Sequence, residues 1–257
     1  MNDRSPPEWR TNRPQNGPGL RWPNPTGPWP RPGRTTGRHP RLCTIVQMDV
    51  AGSARRDGRS LEQMRNDLFD LVENVALRGG IDLETPPYED TGDGVRLVLP
   101  ADVSPTRAID VFAGGLAVGL RAHRRRVDAE ARIRLRVAFH IGLVTRHRGS
   151  WTGSSLVVTA RLVDSKPLRT ALRMNDKIGL AAAVSDPMYQ LVVRDRFGHI
   201  PLTCYRKIRV RVKEYDDRAW LLVPRSACVC ALPDHSGAAH EAGAGRVGLE
   251  ARKGRRR

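Results

Sequence analysis

The sequence predicts an α+β domain, a ferredoxin-like βαββαβ core with a C-terminal extension, flanked by disordered tails. Three observations carry this. From Ile133 to Ile141, apolar residues alternate with Arg134, Arg136, Ala138 and His140, the period of a half-buried strand. Residues 60–78 and 105–126 instead carry apolar residues at helical spacing, and a hairpin-like segment separates them. Composition changes at both ends: residues 1–40 hold ten of the nineteen prolines without apolar periodicity, and Gly, Ala and Arg dominate from Arg225 onward. Neither end can bury enough apolar surface to offset its ordering entropy. The expected organisation is a Pro/Arg-rich tail over 1–40, one folded domain over 41–224 and a basic tail over 225–257.

The first expected strand runs through Cys43-Thr44-Ile45-Val46-Gln47-Met48, rich in strand formers, and ends at Asp49 before the turn Ala51-Gly52-Ser53. A helix follows. Ser60 and Gln63 form a capping box, Leu61, Met64, Leu68, Leu71, Val72 and Val75 share one face, and Gly79-Gly80 ends it. Residues 81–99 read as a hairpin, with Ile81 to Glu89 as one arm, a turn over Asp90 to Gly94, and Val95 to Leu99 as the other. Ser104-Pro105 opens a second helix, which closes on the basic cluster Arg121 to Arg126. After the alternating strand come a Gly/Ser-rich loop from His147 to Ser155 and a partly helical stretch from Leu156 to Leu172. A buried strand from Ile178 to Val184 and a short helix from Asp186-Pro187 through Val193 follow. Tyr205 to Val212 and Arg218 to Val223 pair as a closing hairpin.

The 257 residues carry a formal charge of +17, a field that attracts polyanions. With Trp9, Trp22 and Trp29 in the first tail, weak nucleic-acid contact by the tails is one expectation. Arg greatly outnumbers Lys, as in a high-GC genome, which raises basic content without a functional cause. No charged-then-apolar leader and no membrane-length apolar run is present, so a cytoplasmic location is expected. Four cysteines make no disulfide framework at this length. Cys228, Cys230, His235 and His240 lack the spacing of a zinc knuckle, and no zinc is expected there.

Two acids carry the chemistry. Asp49 ends a buried strand before a glycine turn, where it can reach an open rim beside backbone N–H groups. Asp93 lies in the hairpin turn. In a ferredoxin-like sheet the hairpin's later strand flanks the first strand, so the two carboxylates converge. Close carboxylates repel unless a cation sits between them, and two such ligands with substrate phosphates suit Mg²⁺.

Five segments, in this order, resemble the catalytic domain of class III nucleotidyl cyclases, over roughly Leu42 to Val223. Asp49-Val50-Ala51-Gly52-Ser53 is similar to the family's metal and phosphate turn, and Thr91-Gly92-Asp93 to its second metal motif. Leu135-Arg136-Val137-Ala138-Phe139-His140-Ile141-Gly142 resembles the family strand; Gly153 with Ala160-Arg161-Leu162 matches the following helix; Val210-Arg211-Val212-Lys213 resembles the closing strand. The resemblance is to a divergent, actinobacterial-type homologue. It implies that Asp49 and Asp93 hold Mg²⁺ or Mn²⁺, that amides at Ala51, Gly52 and Ser53 cradle phosphates, that Arg161 stabilises charge at the α-phosphoryl group, and that Lys213 reaches the triphosphate. It also implies a homodimer with the site between two copies.

The position four before the second metal acid is Glu89, and the resemblance implies that it selects the base. A carboxylate accepts from guanine N1–H and N2–H₂, which favours GTP, while ATP, UTP and CTP stay open. Glu89 and Asp93 are expected on one face of an extended arm, a span of roughly 13 Å, with Ser150 approaching the base from the partner subunit. Val157 stands where the family has a ribose-orienting Asn, and Leu143 where some members carry a phosphate-contacting Arg. The expectation is therefore a nucleoside-triphosphate cyclase of impaired activity. The alternative is an inactive nucleotide-sensing or dimerisation module in bacterial signalling or defence.

Overall fold

A computed structural model describes residues 39–83 and 88–224. The 228–240 cluster and the expected tails, apart from His39 and Pro40, lie outside the described residues. Seven strands form one sheet in the order β2-β3-β1-β4-β6-β8-β7, and β5 pairs with β4 off that path. The strands are β1 Arg41–Val50, β2 Tyr88–Asp90, β3 Gly94–Leu99, β4 Leu135–His147, β5 Ser150–Thr152, β6 Leu180–Ser185, β7 Tyr205–Val212 and β8 Tyr215–Leu222. The first four in chain order take the expected β2-β3-β1-β4 arrangement, all antiparallel. The pair β4–β6 is parallel, which a crossover through two helices on one face permits.

Period-2 burial fixes the two faces. Val46, Met48, Val50, Val95, Leu97, Leu135, Val137 and Phe139 belong to one core. It is covered by α1 (Gly58–Arg78), α2 (Pro105–Ile109) and α3 (Leu116–Arg126). The opposite face meets α4 (Ser154–Val163) and α5 (Lys166–Met174) through Ala138, Leu162, Leu168, Ala181 and Ala183. A short helix, α6 (Asp186–Met188), runs into a π-turn over Tyr189–Val193.

Four sequence expectations are corrected. Helix α1 starts one turn early, because the Asp57 carboxylate, not Ser60, caps it by accepting from the Ser60 N–H at 2.8 Å. Both residues cap well, and a nucleated helix gains a hydrogen bond with each residue added. The expected second helix is interrupted by a π-turn over Asp110–Gly115. The arm expected from Ile81 is a strand only from Tyr88 among the described residues. The His147–Ser155 stretch is not a loop: β4 continues to His147 and turns through Arg148 and Gly149 into β5.

His140 faces the α4 side, buried, with Nδ1 2.9 Å from the Ser185 hydroxyl. Burial pushes its pKa down to about 4. The unfolded chain binds the proton from pH 6.5 downward and the folded one does not, so the contribution of His140 to stability falls as pH drops from 6.5 towards 4, while Asp49, whose carboxyl is pushed up to about 7, contributes with the opposite sign over the same window. The loss expected from His140 by pH 5 is about 2 kcal/mol. Urea unfolding at pH 7 and pH 5 of parent and His140→Gln checks it: between the two pH values the parent should change by about 2 kcal/mol in the destabilising direction relative to the variant, and an identical change in both would exclude the His140 contribution.

Both ends of the sheet are guarded. Strand β2 is three residues long, and β7 exposes Arg206, Lys207, Arg209 and Arg211. No helix among the described residues is long and apolar enough to cross a membrane.

Candidate functional site

The β1–β3 register sets the site. Asp49 stands opposite Gly94, and the Val50 N–H donates to the Asp93 carbonyl at 3.0 Å, so Asp93 lands beside the end of β1. Ser53, buried, donates its hydroxyl to Asp93 Oδ2 at 2.9 Å. Burial pushes the Asp49 carboxyl up to about 7; nearby Asp93 adds to this, and Arg136 opposes it. The two acids and Ser53 are thus brought together. On the other side Arg136, opposite Asp49 on β4, donates to Asp49 Oδ2. Asp49 Oδ1 and Arg136 Nε are buried with no hydrogen-bond partner among the described residues. An unpaired buried acceptor costs about 1–3 kcal/mol, so Oδ1 has capacity that the described residues leave unused.

The hairpin turn is held from α1. Arg65 donates to the Gly92 carbonyl at 3.0 Å and pairs with Asp90, whose other oxygen accepts from the Gly92 N–H. That turn corrects one expectation. Thr91 N–H bonds to the Gly94 carbonyl, so the chain reverses between Glu89 and Asp93 and they share no extended face. Glu89 instead pairs with Arg96, which pairs with Gln47, two residues from Asp49. Two interstrand steps and two residues separate the Cα atoms of Glu89 and Asp49 by about 12 Å.

Glu89 accepts from the Trp151 N–H at 2.8 Å and from Arg96 at 3.2 Å, and Arg96 also donates to Gln47 at 3.1 Å. Ser150, exposed on β5 next to Trp151, therefore sits by Glu89 of its own chain. The expected approach from a partner is not needed to bring them together. Ala51 is a second correction, because its N–H donates to the Arg134 carbonyl at 2.8 Å. Of the expected cradle, Gly52 (φ 80°) and Ser53 remain.

Arg161 and Lys213 form a separate group. Arg161 projects from α4 to Glu214 at 2.9 Å, in the turn where Lys213 takes φ 54°. Its guanidinium is bonded there rather than to either aspartate. Val157, one helical turn before Arg161, is 46% exposed, and Leu143 is 57% exposed. Asp164, at the end of α4, pairs with Arg169 and lies 3.9 Å from Arg136. Sequence reasoning passed over Arg136, Arg65, Asp164 and Glu214. Arg136 was visible as a polar-face residue of an alternating strand that resembles the family's, without a role of its own, and the β1–β4 register places it on Asp49.

The chemistry fits a hard divalent cation. Two adjacent carboxylates, one with an oxygen unpaired among the described residues, are the kind of partial oxygen set that a hard divalent cation would complete with phosphate and water. Among the described residues no group of three or more His, Cys, Asp and Glu could hold a metal by itself. Cavities of about 360 and 780 Å³ are lined by α1–α3 and the 192–205 segment, on the opposite face, and include none of these residues.

Solved structures place the fold. An adenylate/guanylate cyclase/hydrolase from Silicibacter pomeroyi is 22% identical, with a TM-score of 0.53 over 73% of this chain and 99% of that one. The guanylyl cyclase Cya2 is 16% identical, with a TM-score of 0.52 over 72% and 92%. The catalytic core of a rhodopsin-guanylyl cyclase, bound to ATPαS, is 18% identical, with a TM-score of 0.53 over 75% and 100%. No protein-family model and no curated protein matches the sequence. The chain has the fold of the class III adenylyl and guanylyl cyclase catalytic domains.

Proposed function

We propose that the domain binds a divalent-metal nucleoside triphosphate, GTP in preference, between two copies of the chain, and converts it to a cyclic nucleotide and pyrophosphate in the cytoplasm. The observation that carries this reading is the convergence of Asp49 and Asp93, with a buried carboxylate oxygen left unpaired. Asp49 and Asp93 would hold Mg²⁺ or Mn²⁺. The cation, when bound, makes the ribose 3′-hydroxyl a better nucleophile and neutralises phosphate charge. Gly52 and Ser53 would face the phosphates. Arg161 would leave Glu214 to stabilise charge at the α-phosphoryl group as the 3′-oxygen attacks and pyrophosphate departs, and Lys213 would hold the triphosphate. Exposed Val157 beside Arg161 supports a face completed by a second copy.

Mass spectrometry of products from each triphosphate with Mg²⁺ or Mn²⁺ tests the reaction. Cyclic product that disappears in Asp49→Ala supports it. Metal-dependent binding with no product would favour the sensing module that apolar Val157 also fits, and no binding would overturn both.

Glu89→Lys is expected to lower GTP affinity by about 1–3 kcal/mol, while ATP binding holds. It should also cost stability, because the new ammonium would face Arg96. Calorimetry with both nucleotides separates the two effects. Equal loss for GTP and ATP would mean that Glu89 serves only the hairpin.

A further inference from the structure

The metal half of the site already contains a cation. Arg136 enters from β4, opposite Asp49 in the register, and its guanidinium donates to Asp49 Oδ2. Both side chains are nearly buried, at 14% and 13% exposure. The pairing is incomplete on both sides, since Asp49 Oδ1 and Arg136 Nε have no partner among the described residues. A second acid waits on the far side of the guanidinium: Asp164 Oδ1 lies 3.9 Å from Arg136 Nη1. Asp164 is half exposed and already pairs with Arg169 of α5.

A divalent ion at Asp49 would stand beside the Arg136 charge at short range, in a poorly hydrated setting where like charges repel strongly. Its second nitrogen, Nη1, already lies 3.9 Å from Asp164, so a small shift of the guanidinium completes that pair. We infer that Arg136 is the resident counter-ion of Asp49, that it sets the site's cation affinity by competing for that carboxylate, and that it turns onto Asp164 when a divalent cation enters. Arg136 is then a positioning residue that keeps the two aspartates compatible in the metal-free chain. Asp164 is the acceptor that makes the exchange reversible. This inference rests on the metal reading of Asp49 and Asp93.

The test is a Mn²⁺ titration of the full-length protein without nucleotide, reading free Mn²⁺ by electron paramagnetic resonance, with melting curves to confirm folding. Arg136→Gln is expected to bind Mn²⁺ about tenfold more tightly than the parent, and Arg136→Lys, which keeps the charge, within about threefold of it. Asp164→Asn should weaken binding by about threefold or more, and this effect should vanish in the Arg136→Gln background. Unchanged or weaker binding in Arg136→Gln overturns the inference. So does equal tightening by Lys and Gln, or an Asp164→Asn effect that persists without Arg136. Should Arg136→Gln not fold, Asp164→Asn decides alone, and unchanged affinity overturns the inference. Asp49→Asn separates the two readings. If it binds Mn²⁺ like the parent, the metal reading fails and this one with it. If it abolishes binding while the Arg136 variants change nothing, the Arg136 inference alone fails.

Discussion

Gly94→Ala is expected to cost about 3 kcal/mol of stability, the upper part of the range for forced overpacking. A β-carbon at Gly94 would overlap the Met48 carbonyl oxygen and lie 3.0 Å from Asp49 Cα. Both obstacles are backbone of β1, which is held between β3 and β4 and cannot yield. The hairpin must therefore lift, carrying Asp93 away from Asp49. A melting-temperature drop of about 6–12 °C should accompany the loss for a domain of this size. Gly92→Ala is the control. A β-carbon there meets nothing within 4 Å, so only its φ of 95° is strained, and the cost should be about 1 kcal/mol. Equal losses for the two variants would mean that the close approach of β3 to β1 does not position the turn.

Asp49→Ala is expected to reduce cyclic-nucleotide formation at least about a thousandfold, roughly 4 kcal/mol of barrier, on the proposed reading. It removes one of the two carboxylates that would hold the cation and leaves Arg136 facing an empty place. Initial rates by chromatography, with parent and variant at equal protein and saturating Mn²⁺, check it. A rate within tenfold of the parent would take Asp49 out of the metal site. A folded variant is confirmed by its far-ultraviolet circular dichroism.

Much of this arrangement was legible in the residues. The order of elements follows from helix and strand periods together with Gly and Pro punctuation, and β1, β6, β7 and β8 emerge within a few residues of their expected places. Asp49 and Asp93 could be paired because element order implies which strands are neighbours. What stayed hidden depends on register and long-range bonding. Arg132, Arg134 and Arg136 look alike in sequence. Yet Arg134 bonds carbonyls at Ile178 and Asn175, while Arg136 reaches Asp49. The Glu89–Trp151 bond joins residues 62 apart, and no local pattern announces it. The π-turn over Asp110–Gly115 keeps an amphipathic pattern close to that of an α-helix, so periodicity passes over it. Strand β5 is only three residues long, and its Gly and Ser neighbours signalled a loop.

The guarded sheet ends bear on how chains of this protein meet in a crowded cell. An exposed strand edge is a template on which another chain can pair, and the cations of β7, two of them tied to Asp216, make such an added strand repel or detach. At the other end β2 offers too short a row of backbone groups to seed pairing. Among the described residues, sheet extension is therefore disfavoured as a route to self-association, and contact through side-chain surfaces, where recognition depends on shape and charge and can be reversed, is favoured instead.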